Sequence, residues 1–288
     1  MKRSSTSLSG KLSVGALLRA YPWRVAVTWG LTLLETAFLA LLPLFIGRSI
    51  DGLLKDNAAP FLTLLSGLGL LLIVGVARRA YDTRAYGTMR VAMGEAVAKQ
   101  AKQQPVSTQT ARLDMSRELV NFLEEEAPIV LTASVQILAS IAILWAFHAA
   151  LAGMAAAAAL ISIIIYGLFS VRFFNLNRDL NQQIEQQVKT LDGRSHNDVR
   201  THLLSLRRFE VHLSDTEAFV YGLIFLLLLS MLSANLWFSA TQLDATPGQI
   251  FSIVTYSYEF IQAAVILPAA LQSLTRISEI TSRINQSE

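Results

Sequence analysis

The sequence predicts an all-α membrane protein with six transmembrane helices and two long cytoplasmic helical extensions, in one domain over residues 1–288. The first observation is composition: 53% of residues are apolar and only 16% are charged, whereas a soluble domain has about a quarter charged residues. The second is a set of six long apolar runs. The third is the uneven distribution of Lys and Arg between the segments that connect these runs.

Most of the apolar runs have the length of about 17–25 residues that a helix needs to cross a bilayer. The second run is the weakest, because it is short and contains three glycines. The predicted spans, in chain order, are Val25–Gly47, Phe61–Ala77, Pro128–Phe147, Ala150–Val171, Phe219–Ser239 and Gln249–Leu271.

Basic residues indicate the orientation. All of the 24 Lys and Arg residues except Arg48 and Lys55 fall in the N-terminal segment, the two long loops or the tail. By the positive-inside rule, both termini and both long loops are expected to be cytoplasmic, in a multi-pass membrane protein. Anionic lipid explains this basic character, so no nucleic-acid partner is expected. Arg78-Arg79 is interpreted as a positive-inside anchor at this boundary. Glu124–Glu126 is interpreted as a solvated acidic turn, with a site for a basic partner surface as the alternative.

The first long loop predicts two helices. The second span is expected to continue as helix until Pro105, because only Gly87 and Gly94 interrupt it. The polar stretch Ser107–Thr110 then predicts a turn, and a new helix is expected from about Leu113 into the third span.

The second long loop repeats this plan. Arg172–Leu191 is compatible with helix, Asp192-Gly193 predicts a break, and Asp198–Glu217 predicts an amphipathic helix. At the N-terminus, Ser13–Tyr21 predicts an interfacial helix ahead of Pro22. The first span is expected to be retained, because its apolar run is too long for a signal peptide and no cleavage site follows it.

Two acidic residues, Glu35 and Glu259, stand at the centres of their predicted spans. An acidic side chain there costs about 2.5–3.5 kcal/mol on insertion scales, and usually faces a water-filled cavity or a partner. Polar residues recur at helical spacing on four spans, which predicts four polar stripes along one translocation path. The stripes are Thr28, Thr32, Glu35 and Thr36; Thr132, Gln136 and Ser140; Ser162, Tyr166 and Ser170; and Ser252, Thr255, Tyr256, Glu259 and Gln262.

Three roles for the two glutamates remain open at this point. They take up and release protons, or they bind a cationic substrate, or they hold helices together by hydrogen bonds. The residues predicted to take part in proton coupling or substrate contact are Glu35, Glu259, Tyr256, Gln262, Thr32 and Gln136.

Other chemistry has little support. The chain has no cysteine, so disulfides and thiolate metal sites are excluded. The spacing of His196, His202 and His212 does not match a metal-binding pair on one helix face, so no metal site is expected and these residues are interpreted as loop histidines. The only Gly-Lys pair is Gly10-Lys11, followed by Leu12 where a phosphate-binding loop needs Ser or Thr. No ATP site, no cofactor and no enzymatic activity are therefore expected.

Local patterns near both ends of the chain carry a family resemblance. They are Leu17–Tyr21 before the first span, Leu42–Leu54 at its end, Thr246–Ile250 before the last span and Leu274–Ile284 after it. In this order and spacing the chain resembles, over nearly its whole length, the transmembrane domain of type IV (exporter-type) ABC transporters. It is similar to a six-helix half of such a transporter without a nucleotide-binding domain.

The resemblance implies a dimer in which the fourth and fifth spans cross to the other half. It places the coupling helices, which dock on the ATPase, near Val106–Arg117 and Asp198–Arg208. Arg117 stands where the family usually has glycine, and Glu124–Glu126 replaces an Asn-Asp ending. Some bacterial peptide-uptake transporters that resemble this core lack an ATPase and are driven by protons. The resemblance to these transporters implies that the chain lies in the bacterial inner (plasma) membrane.

The function predicted from these features is transport of a small amphipathic or cationic solute, such as a peptide, by alternating access in a dimer driven by the proton gradient. The expected partners are the lipid membrane and a second copy or a related half. One alternative is the permease subunit of a split ABC transporter with a separate ATPase subunit. Another is a non-transporting membrane protein that acts in assembly or sensing.

Overall fold

Nearly all of the described chain is helical. The computed structural model describes residues 13–100, 106–187 and 196–285. In this part of the chain there is no β-strand, and a π-helical turn, Phe122–Glu126, joins the fourth helix to the fifth. The α-helices, in chain order, are α1 (Val14–Ala20), α2 (Pro22–Leu53), α3 (Ala59–Gln100), α4 (Val106–Asn121), α5 (Ala127–Phe147), α6 (Ala149–Glu185), α7 (His196–Thr241) and α8 (Pro247–Asn285).

Five stretches of helix in the described residues are long and apolar enough to cross a membrane. They lie in α2, in α3, in α4 continued through the π turn into α5, in α6 and in α7. The chain is therefore an all-helical, multi-pass membrane protein. The sixth predicted span, Gln249–Leu271, lies within α8 and is helical, and its crossing of the membrane stays a prediction.

The long extension predicted after the second span is present as helix. α3 continues through Gly87 and Gly94 without a break. The turn predicted at Ser107–Thr110 is wrong, because α4 already begins at Val106. The Thr110 hydroxyl donates to the Val106 carbonyl oxygen at 3.0 Å, so a polar side chain is accommodated inside the helix by its own backbone.

Two predicted helix breaks, at Pro105 and at Asp192-Gly193, lie outside the described residues. The helices on either side of the second break are those predicted: α6 continues to Glu185 and α7 begins at His196. The position of these helices relative to the membrane surface stays a prediction.

The short helix α1 forms as predicted ahead of Pro22. The Ser13 hydroxyl caps it by accepting a hydrogen bond from the Ala16 backbone nitrogen at 3.1 Å. Pro22 occupies the first turn of α2, where its missing N–H costs nothing. Leu17 is fully buried and belongs to an apolar cluster with residues of α2, α3, α4 and the π turn, so α1 is packed onto the helix bundle.

Two apolar clusters hold the helices together. One joins α1 and α2 to α3, α4 and the π turn through the buried residues Leu17, Val25, Tyr86, Met89, Met93, Ala96, Val97, Leu119, Val120, Phe122 and Leu123. The other joins α5 to α8 through Leu144, Leu151, Ala152, Ala155, Ala158, Leu228, Met231, Ile253, Tyr256, Phe260 and Ile261. Many other large apolar side chains on α3, α6 and α7 are exposed, as expected for surfaces that face lipid.

The end of α2 is fixed against the start of α8. A Cβ atom on Gly248 would overlap the Gly47 carbonyl oxygen and lie 2.7 Å from the Asp51 carboxylate. The Asp51 carboxylate accepts hydrogen bonds from Thr246 Oγ1 at 2.5 Å and from the Gly248 nitrogen at 2.9 Å. Thr246 and Gln249 also bond each other's backbone nitrogens, as in a capping box. Only glycine allows the two helices to approach this closely.

Candidate functional site

The two glutamates singled out by the sequence have different partners. The Glu35 carboxylate on α2 forms an ion pair with Arg78 on α3. Glu259 on α8 accepts a hydrogen bond from Gln136 Nε2 on α5 at 2.5 Å. Both glutamates are partly buried. One acid is therefore held by a cation and the other by a neutral amide.

A row of threonines on α2 runs along the same side of the helix as Glu35. Thr28, Thr32 and Thr36 are all buried. The hydroxyls of Thr32 and Thr36 donate to the backbone carbonyl four residues earlier, at 2.9 and 2.8 Å. Thr36 Oγ1 also lies 3.3 Å from Thr132 Oγ1 on α5. This row joins α2 to α5 and satisfies its own hydroxyls in an apolar surrounding.

Arg78 is the centre of a cluster of charged and polar groups between α2 and α3. Besides the contact with Glu35, its Nη1 donates to Thr32 Oγ1 at 3.3 Å and lies 4.0 Å from Asp82 Oδ2. A Cβ on Gly75 would lie 3.3 Å from Glu35 Oε1, so the small residue makes room for the carboxylate. Gly75, Arg78 and Asp82 share one face of α3 because they are three and four residues apart.

The polar stripe predicted on α8 makes hydrogen bonds to two different helices, α2 and α5. Ser252 Oγ donates to the Pro43 carbonyl oxygen at 2.9 Å, and Tyr256 Oη donates to that of Ala40 at 2.7 Å. Tyr256 is fully buried, so these two side chains hold α8 against α2. Gln262 is exposed. Of the predicted site residues on this helix, only Glu259 makes a side-chain bond towards α5.

The stripe on α6 does not join the others by hydrogen bonds in the described residues. The hydroxyls of Ser162 and Ser170 donate to carbonyl oxygens of their own helix. The ring of Tyr166 stacks on that of Phe173, with centroids 5.9 Å apart. The bonded polar side chains of the candidate site therefore come from α2, α3, α5 and α8.

The sequence of the chain also matches a known protein family. A model of the ABC transporter transmembrane region matches residues 15–248. The chain belongs to this family. A search of curated proteins gave no match at a significant level.

In this ABC transmembrane region a second polar cluster lies where α3 meets α4 and the π turn. The guanidinium of Arg90 donates to Asn121 Oδ1 at 3.1 and 2.9 Å and forms an ion pair with Glu124. The interpretation of Glu124–Glu126 as a solvated acidic turn is wrong for Glu124, whose side chain is only 14% exposed. An open cleft of about 370 Å³ begins beside this cluster and is lined by Arg90, Val91, Gly94, Glu95, Thr110, Leu113, Asp114, Ser116 and Arg117.

The histidines do not form a metal site in the part of the chain that the structure describes. No group of three or more His, Cys, Asp or Glu side chains that could hold a metal is found there. His202 is not a solvent-exposed loop residue as expected. It is 6% exposed on α7, and its Nδ1 lies 3.0 Å from Gln183 Nε2 on α6, so it joins the two long helices of this hairpin.

Sequence reasoning missed two members of the site. The sequence predicts Arg78 only as a positive-inside anchor and assigns no role to Asp82, because the second predicted span ends at Ala77. The available signal was the spacing of Gly75, Arg78 and Asp82, which places one small, one basic and one acidic residue on a single helix face. Asn235 on α7 was also missed. It is fully buried and donates to Ser257 Oγ on α8 at 2.8 Å.

Proposed function

We propose that the protein is a transporter that moves a small amphipathic or cationic solute, such as a peptide, across the membrane, driven by the proton gradient. The family match and the candidate membrane spans support a membrane transporter. The observation that carries the finer proposal is the bond between Glu259 and Gln136, which joins α5 to α8 inside the helix bundle.

Gln136 is a suitable partner for an acid that changes its protonation state. An amide donates through its nitrogen to a carboxylate and accepts through its oxygen from a carboxylic acid. Among the side chains that the structure describes, no Lys, Arg or His lies within ion-pair distance of Glu259. An ionised carboxylate without a cation is costly away from water, so Glu259 binds a proton when its surroundings are dry and releases it when they are wet.

A second copy of the chain would complete the transport pathway. One region of this kind supplies one half of the usual helix bundle, as the resemblance implies. Several large apolar side chains also stay exposed on α6 and α7 outside the predicted spans, where lipid tails would not cover them. These side chains are Phe174, Ile184, Leu203, Leu204 and Val211. We propose that the partner half covers part of this surface.

The first experiment measures uptake by the purified protein in liposomes, with a fluorescently labelled cationic peptide as the probe. A pH gradient should drive accumulation by the parent protein. Glu259→Gln should abolish the accumulation but keep exchange of the probe at equal pH, because glutamine cannot bind or release a proton. Glu210→Gln is the matched control, since Glu210 is exposed on α7 and should behave as the parent.

Accumulation that is independent of the pH gradient would remove proton coupling, and gradient-driven accumulation that is equal in the Glu259→Gln variant would remove Glu259 as the coupling group. The family match favours one other function, the permease half of a split ABC transporter. In that case gentle purification from native membranes should bring down an ATPase subunit in about equal amount, and uptake should require ATP. A protein with neither an ATPase nor any uptake would support the assembly or sensor alternative.

A further inference from the structure

Two carboxylates share one guanidinium between α2 and α3. Arg78 Nε contacts Glu35 Oε2, and Arg78 Nη1 lies 4.0 Å from Asp82 Oδ2 on the next turn of α3. The side chains of Arg78, Glu35 and Asp82 are 29%, 22% and 13% exposed. If both acids were ionised, this largely buried group, which we call the acid–arginine triad, would carry a net negative charge.

Asp82 is the less well satisfied of the two acids. Its Oδ1 is buried and has no hydrogen-bond partner among the residues that the structure describes. The charged groups that face Asp82 are Arg78 and Arg79 from its own helix, Glu35 from α2 and Glu124 from the π turn. Arg79 is exposed to the outside of the helix, and Arg78 is engaged by Glu35.

Arg90, the cation that pairs with Glu124, does not neutralise the charge of an ionised Asp82. Arg90 is committed to Glu124 and to Asn121. An ionised Asp82 would therefore be a buried negative charge close to the carboxylates of Glu35 and Glu124. Its nearest cation, Arg78, is 4.0 Å away and already pairs with Glu35. Such a charge is costly, whereas the protonated acid makes the triad neutral.

We propose that the acid–arginine triad is a one-proton exchange site: Arg78 pairs with one carboxylate, and the other carboxyl holds the proton. In this structure Arg78 contacts Glu35, and the proposal therefore assigns the proton to Asp82, whose Oδ1 is buried without a hydrogen-bond partner in the described residues. Rotation of the Arg78 side chain towards Asp82, from a starting separation of 4.0 Å, exchanges the two roles. One O–H bond then breaks at Asp82, with its proton passing to water, and one O–H bond forms at Glu35 with a proton taken from water.

The exchange site is a different device from Glu259. The bond with Gln136 holds Glu259 in either protonation state, whereas Arg78 allows only one of its two acids to be ionised at a time. The use of this exchange in transport rests on the proposed function, but the occupancy of the triad by one proton does not. The two can therefore be tested separately.

The test is infrared spectroscopy of the protein in liposomes at neutral pH, which measures the C=O absorption of protonated carboxyl groups. A Glu259→Gln background removes the contribution of Glu259, which has no cation within ion-pair distance among the described residues. Asp82→Asn should lose the absorption of one protonated carboxyl per chain. Glu35→Gln should lose the same amount, because Arg78 is then released to ionise Asp82.

Arg78→Gln should instead gain the absorption of about one further carboxyl, since both acids lose the cation. The exposed acid Glu210 provides the control, and Glu210→Gln should leave the absorption unchanged. If Arg78→Gln is misfolded by gel filtration, the two acid variants decide alone. Unchanged absorption in Asp82→Asn would overturn the proposal, and so would unchanged absorption in Glu35→Gln, which would show that Asp82 holds its proton independently of Arg78.

Uptake of the labelled cationic peptide separates this proposal from the proposed function. Infrared changes as expected, combined with uptake by the parent protein that does not depend on the pH gradient, would support the one-proton triad and refute proton-driven transport. Loss of gradient-driven uptake in Glu259→Gln, with no infrared change in Asp82→Asn or Glu35→Gln, would support proton-driven transport and refute the one-proton triad.

Discussion

Replacement of Asp51 by alanine should weaken the junction between α2 and α8. The Asp51 carboxylate accepts hydrogen bonds from Thr246 Oγ1 at 2.5 Å and from the Gly248 nitrogen at 2.9 Å. It also places a negative charge at the N-terminus of α8, where a helix dipole favours one. In Asp51→Ala both donors lose their acceptor, at a point where the Gly47 and Gly248 backbones are too close for a replacement side chain.

We expect the variant to lose about 2–4 kcal/mol of stability, because a hydrogen bond to a charged group contributes about 1.5–3 kcal/mol and water replaces part of the loss at this partly exposed site. For a domain of about 150–250 residues, each kcal/mol shifts the unfolding midpoint by about 2–4 °C. The midpoint should therefore fall by about 4–16 °C. Asp51→Asn should lose about half as much, since its amide oxygen keeps one acceptor.

The assay is thermal unfolding in detergent at one fixed scan rate, followed by gel filtration of the remaining folded protein. Asp244→Ala is the matched control. Asp244 is an exposed acid in the connection between α7 and α8, which also contains Thr246. A midpoint for Asp51→Ala within about 1 °C of the control, far less than two such bonds should contribute, would show that the carboxylate does not fix α8 to α2.

Three further predictions follow from the packing of the helices. Tyr256→Phe should cost about 1 kcal/mol of stability, for the lost bond to α2, and leave uptake of the labelled peptide unchanged, with exposed Tyr258→Phe as control. Arg90→Lys should lower the unfolding midpoint, because lysine lacks the planar fork that binds two partners, and Lys99→Arg should not. Gly248→Ala should reduce the yield of folded protein, since its Cβ overlaps the Gly47 carbonyl, whereas Gly30→Ala, in open space, should not.

The sequence predicted the helices well because their signals are local. Apolar runs, glycines and capping residues act within a few neighbouring positions, and α3 continues to Gln100 as its pattern indicates. The exception at Ser107–Thr110 has a local cause as well. Serine and threonine favour turns, but they are also tolerated in a helix when the hydroxyl bonds a carbonyl oxygen of the preceding turn, as Thr110 does.

The partners of the polar residues could not be predicted in the same way. Glu35 and Glu259 were found by their positions in apolar runs, but periodicity does not tell whether a polar side chain faces a cavity or another helix. Tyr256 and Glu259 are three residues apart on one helix, yet the first bonds α2 and the second bonds α5. The difference arises because α8 packs against both α2 and α5. Tyr256 therefore makes a packing contact, whereas Glu259 is a candidate coupling residue.

Because the two acids have different partners, their replacement by glutamine disturbs different groups. Loss of the Glu259 carboxylate leaves Gln136 without its hydrogen bond, but it leaves no unpaired cation, because Gln136 is neutral. Loss of Glu35 releases a cation, which must find another anion within reach of its side chain, and Asp82 is 4.0 Å away. A neutral glutamine at position 259 therefore removes one proton-binding group and disturbs only Gln136, whereas a neutral glutamine at position 35 rearranges the charges between α2 and α3. Because of this difference, equal transport defects in the two variants would not mean equal roles.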